Sequence, residues 1–205
     1  MRVGFIGLGN VGAKLAGSLL RNGTDLTVRD LDRSAAQHLL DAGATWGESP
    51  AAMTEQVDLM ITCLPSPAIS ALVLEADDGI LAALKPGQMW AEMSTTDEAE
   101  VRRLGAKVLE AGGEPIDCPV SGGCHRAATG NIAIFAGCER STFERALPVL
   151  TMMGRRILHT GELGSASMLK VMTNYLATAN LVTLAEALVT SKMAGMDLGT
   201  TYEAI

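Results

Sequence analysis

The sequence predicts an α/β protein: a doubly wound, mainly parallel sheet with helices on both faces, followed by a long helix that opens an all-α second domain. Three observations carry this. Short apolar runs alternate with segments of helical period through roughly the first 160 residues. The first run, Val3-Gly4-Phe5-Ile6, leads at once into Gly7-Leu8-Gly9-Asn10-Val11-Gly12 and then into a helical period, in strand–turn–helix order. Beyond Gly161–Gly164 the alternation stops, and helix formers run almost unbroken to Met193. The change divides the chain into a sheet domain over 1–162 and the start of a helical domain over 163–205.

Taken in order, residues 3–6 read as a strand and 11–21 as a helix; 26–29 is a second strand, with a helix near 34–42. A strand over 59–64 is stopped by Pro65 and Pro67, and another over 89–92 follows the Pro86-Gly87 turn. The helix near 97–111 has Thr95 and Glu98 at capping-box spacing. Strands at 115–118 and 132–136, a helix at 141–150 and a short strand at 156–159 complete the alternation. The segment 163–193 is apolar on all sides, Gly195 stops it, and Asp197-Leu198 opens another helix. A helix apolar all round does not face water. Further chain or a partner chain is expected to cover it, so the reading predicts a homo-oligomer formed through 163–193.

Composition narrows the function. Apolar residues make up 48% and aromatics only 3%, so the core must be aliphatic and tightly packed. The net charge of -7, with no basic stripe, excludes nucleic acid as the main partner. The segment 163–193 is long enough to span a bilayer, but it carries Lys170, Asn174, Asn180, Glu186 and Lys192; no membrane association is expected. Residues 2–6 run straight into the glycine motif, so no signal peptide is expected. Cys63, Cys118, Cys124 and Cys138 form no C-x-x-C pair, and no histidine is spaced to complete a zinc site. Free thiols in a reducing, cytoplasmic setting and no metal are the expectation.

The glycine motif has the context of a Rossmann-type dinucleotide fingerprint. Gly7 permits the tight turn, Gly9 lets backbone approach the pyrophosphate, and Gly12 lets helix and strand close up. Asp30 ends the second strand, where a carboxylate accepts from the adenosine ribose and repels a 2′-phosphate. That favours NAD; the flanking Arg29 and Arg33 leave NADP open. Cys63–Pro67 reads either as a loop over the cofactor crevice or as an ordinary proline-terminated strand. Ser94-Thr95-Thr96 reads either as hydroxyls offered to nicotinamide or substrate, or as a helix cap. Ser121, Gly122 and Gly123 follow a strand and expose N–H groups suited to a carboxylate, against the alternative of a plain turn. His125 reads as a solvated loop residue, and His38 and His159 have no companions. Met168, Met172 and Met193 read as packing.

Lys170 stands among Met168, Leu169, Val171 and Met172, with Asn174 one helical turn on. An ammonium against apolar surface loses hydration and its pKa falls, which suits it to proton exchange. The alternative is a lysine reaching to solvent beside a polar asparagine. A hydride carrier and a tunable proton carrier together are the equipment for interconverting an alcohol and a carbonyl.

Five segments together resemble the β-hydroxyacid dehydrogenases, the family of 3-hydroxyisobutyrate dehydrogenase and short relatives of 6-phosphogluconate dehydrogenase. They are residues 3–12, Leu64-Pro65, Asp117-Cys118-Pro119-Val120-Ser121-Gly122-Gly123, Ala128-Thr129-Gly130-Asn131 and Lys170-Val171-Met172-Thr173-Asn174. The resemblance implies that Gly7, Leu8, Gly9, Asn10, Val11, Gly12 and Asp30 hold the dinucleotide, that Leu64 and Pro65 line its site, and that Ser94, Thr95 and Thr96 lie near the nicotinamide. It implies that Ser121, Gly122 and Gly123 anchor the substrate, with Lys170 as acid/base assisted by Asn174. The implied reaction is hydride transfer between NAD, or NADP, and a short 3-hydroxy acid or its semialdehyde, in an enzyme often completed by a dimer partner. The rival readings are an NADPH-dependent reductase of glyoxylate, succinic or tartronate semialdehyde, and a catalytically silent, truncated dinucleotide-binding module. Family members run longer, so the helical domain is expected to be incomplete here. The family usually has Met where Val11 stands. Imine reductases share the scaffold but generally lack the lysine, and Lys170 argues against imine reduction.

Overall fold

The computed structural model describes every residue from Met1 to Ile205. The sheet is built from β1 (Val3–Ile6), β2 (Leu26–Arg29), β3 (Thr45–Trp46), β4 (Leu59–Thr62), β5 (Met89–Glu92), β6 (Glu114–Asp117), β7 (Val120–Ser121), β8 (Ile132–Gly137) and β9 (Gly154–Gly161). The helices are α1 (Gly12–Arg21), α2 (Gln37–Asp41), α3 (Pro50–Thr54), α4 (Pro67–Glu75), α5 (Glu98–Glu110), α6 (Gly123–Ala128), α7 (Arg140–Met153), α8 (Ser165–Met193) and α9 (Leu198–Ala204). The strand order is β3-β2-β1-β4-β5-β6-β8-β7, with β9 beside β8. From β3 to β6 every pairing is parallel; β8 then runs antiparallel to β6 and β7, and parallel to β9. Strand order reverses between β1 and β4, which opens a crevice at the carboxyl ends of those strands.

Strands β1, β4 and β5 are four residues long and buried throughout. This explains their unbroken apolar runs, since both faces of a parallel sheet are covered by helices. One face gathers Phe5, Leu15, Leu19, Val28 and Ile61; the other gathers Met53, Met60, Trp90, Leu104 and Val108. At the carboxyl ends the register aligns Ile6 with Thr62, Thr62 with Glu92, and Glu92 with Asp117. Three polar side chains therefore stand side by side on one face of the sheet, all buried.

The sequence reading holds for the main strands and longer helices, and fails where proline or glycine opens an element. Pro67 does not merely stop β4: it is the first residue of α4, and Ser66 caps that helix by accepting from the Ile69 N–H at 3.4 Å. Ser49 and Pro50 open α3 in the same way. The short β3, β7 and α6 were not anticipated either, being too brief to show a period. The helix expected at 34–42 is a 3-10 turn, Arg33–Ala36, running into α2. The capping box at Thr95 does not form; Asp97 caps α5 instead, accepting from the Glu100 N–H at 2.8 Å.

The chain divides into two compact units, Met1–Lys170 and Val171–Ile205. The second begins inside the 29-residue α8 and includes α9, which Asp197 caps. Its apolar side chains stand largely open, among them Tyr175, Leu181 and Met193 at 67%, 67% and 84% exposed. No helix is long and apolar enough to cross a membrane.

Candidate active site

The crevice at the switch between β1 and β4 is a cleft of about 900 Å³. Its floor is the glycine loop, and each glycine is there for a separate reason. Gly7 takes φ +98° to turn the chain out of β1, and a Cβ on it would stand 2.3 Å from the Cys63 carbonyl oxygen. Gly12 opens α1, where a Cβ would fall 1.9 Å from the Gly7 carbonyl oxygen. Gly9 borders the cleft, and a Cβ on it would meet nothing within 4 Å. The space above Gly9 is the approach a pyrophosphate requires. No side chain caps α1; the Ala13 and Lys14 N–H groups donate to the Gly9 and Val11 carbonyls at 3.1 and 3.0 Å, and the positive end of the helix dipole stands at Gly12, which borders the cleft. Asn10 and Val11 also border the cleft, and these features together fit a dinucleotide.

Leu8 acts through its backbone, because its side chain is buried in the core. Its N–H donates to Asp30 Oδ2 at 2.6 Å, while Asp30 Oδ1 accepts from the Asp32 N–H at 3.1 Å. Asp30 borders the cleft at the end of β2 and ties the glycine loop to that strand. Of the two arginines left open for NADP, Arg29 borders the cleft, and both have partners within the chain. Arg29 donates to the carbonyl of Gly47 at 2.9 Å and to that of Glu48, and Arg33 sits 5.1 Å from the Trp46 ring centroid.

Leu64 and Pro65 follow β4, and Ser94 and Thr95 follow β5; all four border the cleft. The Leu64 N–H donates to Ser94 Oγ at 2.7 Å, joining the two loops. Cys63 borders the cleft as well, but burial first, and the charge of Glu92 second, push its thiol up to about 12. It stays protonated and is no nucleophile. Ser121 closes β7, and Gly122 and Gly123, at φ +129° and +76°, turn the chain into α6. Of these three, Gly123 lines the cleft. His125 is exposed on α6.

Lys170 borders the same cleft from α8. It is half-buried, and the loss of hydration holds its amine below the ordinary lysine range. Asn174 lies one turn further along α8, in the second unit. What places the lysine is Asp117, whose sequence position alone shows no role. Asp117 is fully buried at the end of β6; its Oδ2 accepts from the Ser167 N–H at 2.7 Å and its Oδ1 from the Ser167 hydroxyl at 2.6 Å. The N–H groups of Gly164 and Ala166 also favour its charged form, against a burial that raises its pKa. This carboxyl caps the first turn of α8, three residues before Lys170. The sequence signal is an acid directly after the apolar pair Pro115-Ile116, at a strand end. Asp117→Ala should lower folding stability by about 2–4 kcal/mol, because several buried donors lose their acceptor at once. Urea unfolding measures this; an unchanged midpoint would show that α8 does not depend on the cap.

Fold and cleft together have the form of a dinucleotide-binding domain with an amine at the cleft wall. Residues 2–161 match the family description of the NAD binding domain of 6-phosphogluconate dehydrogenase. The 2-(hydroxymethyl)glutarate dehydrogenase of Eubacterium barkeri is 32% identical over 205 residues, covering 100% of this chain and 68% of that one. The NAD-dependent L-serine dehydrogenase of Pseudomonas aeruginosa is 36% identical over 197 residues, 96% of this chain and 66% of that one. Among solved structures, the 3-hydroxyisobutyrate dehydrogenase of Mycobacterium tuberculosis with L-serine superposes with a TM-score of 0.89 at 30% identity, covering 96% of this chain and 67% of that one. The chain belongs to the β-hydroxyacid dehydrogenase family. It spans 58–68% of the length of the dehydrogenases of Eubacterium barkeri, Dictyostelium discoideum, Pseudomonas aeruginosa and Rattus norvegicus that it matches.

Proposed function

We propose that this chain supplies the nucleotide-binding domain and the catalytic lysine of an NAD-preferring dehydrogenase that interconverts a short 3-hydroxy acid and its semialdehyde. The observation that carries this reading is that Lys170 borders the same cleft as Gly9, Asp30 and Gly123. Relatives described as hydroxymethylglutarate, serine and 3-hydroxyisobutyrate dehydrogenases support the substrate class: each name is that of a carboxylate with a hydroxyl on its β- or a more distant carbon.

A dinucleotide held by the 7–12 loop and Asp30 would supply the hydride acceptor for alcohol oxidation and the hydride donor for the reverse reaction. The neutral amine of Lys170 takes the hydroxyl proton as the carbonyl forms; in reduction the ammonium gives it back. Ser121 and the N–H groups at Gly122 and Gly123 hold the substrate carboxylate, which fixes the carbon that faces the nicotinamide. Asn174 orients the amine or the substrate oxygen. Absorbance of NADH with a panel of 3-hydroxy acids tests the reaction, alongside calorimetry of NAD binding. Binding without turnover on any of them would sink the enzymatic reading and leave a silent nucleotide-binding module.

Asp30 supports NAD over NADP, since a carboxylate facing the ribose repels a 2′-phosphate. Arg29 spends its Nη1 donors on the Gly47 and Glu48 carbonyls, so fewer of its N–H groups are free for a 2′-phosphate. NADH should bind at least about tenfold more tightly than NADPH, and Asp30→Asn should narrow that ratio. Fluorescence titration of both cofactors checks this; an equal affinity in the parent chain would overturn it. The reading also includes a cytoplasmic location and association of copies through the apolar 163–193 helix, which analytical ultracentrifugation tests.

A further inference from the structure

Glu92 is a charged side chain at the end of a strand that is otherwise Met, Trp and Ala, and it is 1% exposed. Neither hydride transfer nor proton transfer uses it. Every partner around it is a donor. The Trp90 indole N–H donates to Thr62 Oγ1 at 3.0 Å, which leaves the threonine proton to go on to Glu92 Oε2 at 3.1 Å. The Ser94 N–H donates to Glu92 Oε1 at 2.8 Å. Ser94 Oγ accepts from the Leu64 N–H, so its own proton is free to favour the charged carboxyl as well. Burial pushes the pKa of Glu92 up, and these hydrogen bonds oppose that shift.

The chain of bonds runs from the sheet interior to the cleft wall. Thr62 and Glu92 sit in register on β4 and β5, and Leu64 and Ser94 follow them two residues on. Leu64 and Ser94 both border the cleft, whereas Thr62 and Glu92 lie beneath it. A buried carboxyl that accepts on both oxygens thus sets the spacing of the two loops that form this wall. At the other end of the cleft, around Asp30 and Leu31, nothing connects to Glu92.

We propose that Glu92 is a positioning residue for the nicotinamide half of the cofactor: through Ser94 it fixes Leu64 and the wall against which the nicotinamide ring rests. The inference rests on the reading of the cleft as the dinucleotide site and deepens it. It separates the two halves of the ligand, because the adenosine half would be held by Asp30 after β2 and not by this network.

The test compares NADH with ADP-ribose, which lacks the nicotinamide, by calorimetry on the full chain and its variants. Glu92→Gln keeps the size but turns an NH₂ toward a ring of donors, so one of them loses its acceptor. The Kd for NADH should rise about tenfold while that for ADP-ribose stays within about twofold. Thr62→Val, which removes a donor that never touches the cleft, should give the same selective pattern at smaller amplitude. Circular dichroism during urea unfolding reports whether each variant folds; if Glu92→Gln does not, Thr62→Val and Ser94→Ala carry the comparison. Equal weakening of both ligands, or weakening of neither, overturns the inference and leaves the dinucleotide site standing. A parent chain that binds neither ligand overturns the site itself.

Discussion

Replacing Lys170 by alanine is expected to lower turnover by about a thousandfold or more while leaving the NADH Kd within about twofold, because general acid–base transfer alone contributes about 10²–10⁴-fold. The half-buried amine is held below its ordinary pKa of 10.5 by lost hydration. The sign follows from which form works in each direction. Desolvation penalises the ammonium, so the neutral amine appears at lower pH than in a free lysine. Alcohol oxidation needs that neutral amine and should climb with pH through a midpoint below 10.5. Carbonyl reduction needs the ammonium and should fall across the same interval. Lys170→Arg separates charge from proton transfer, since a guanidinium keeps the cation but does not deprotonate. It should be as inactive as the alanine variant and show no limb. Retained turnover in either variant, with the pH limb intact, would remove Lys170 from the mechanism.

That lysine was legible in the sequence because its neighbours Met168, Leu169, Val171 and Met172 are apolar. What holds it was not legible. Asp117 reaches Ser167 across 50 residues of chain, a pairing that depends on β6 ending beside the start of α8. Glu92 is the same kind of case: register with Thr62 across two parallel strands makes it the centre of a network, and register between parallel strands leaves no local mark. The β1–α1 unit and Asp30 were legible because strand, turn, helix and acid are consecutive and each carries its own signal. Misreadings fall where one residue type serves two ends. Pro67 reads as the stop of β4 and is the start of α4, and Thr95 has capping-box spacing while Asp97, two residues on, takes the cap. The partners of Arg29 and Arg33, the Gly47 and Glu48 carbonyls and the Trp46 ring, left no mark in the sequence either, because they come from β3 and the loop after it.

Alanine substitution along the glycine loop should separate binding from folding, because the same residue type stands there for different physical reasons. At Gly9 a methyl group meets open space, and the backbone is not in the left-handed region. Gly9→Ala should therefore fold as the parent does, or gain about 0.4–1 kcal/mol from a less flexible unfolded chain. The methyl nonetheless projects into the space a pyrophosphate needs, so the Kd for NADH should rise by about tenfold or more. Gly12→Ala is the opposite case. Its methyl would stand 1.9 Å from the Gly7 carbonyl oxygen, which belongs to backbone and has no rotamer to retreat into. Helix α1 must then move off β1, with a loss of about 2–3 kcal/mol or more on top of lost binding. Gly7→Ala adds a strained φ of +98° to a 2.3 Å clash with the Cys63 carbonyl oxygen and should destabilise at least as much. Urea unfolding and NADH titration on the three variants read both effects. If Gly9→Ala unfolds the chain, or Gly12→Ala leaves both stability and affinity intact, then the tight contact of strand and helix is not what shapes this loop, and the cleft above it loses its claim to the pyrophosphate.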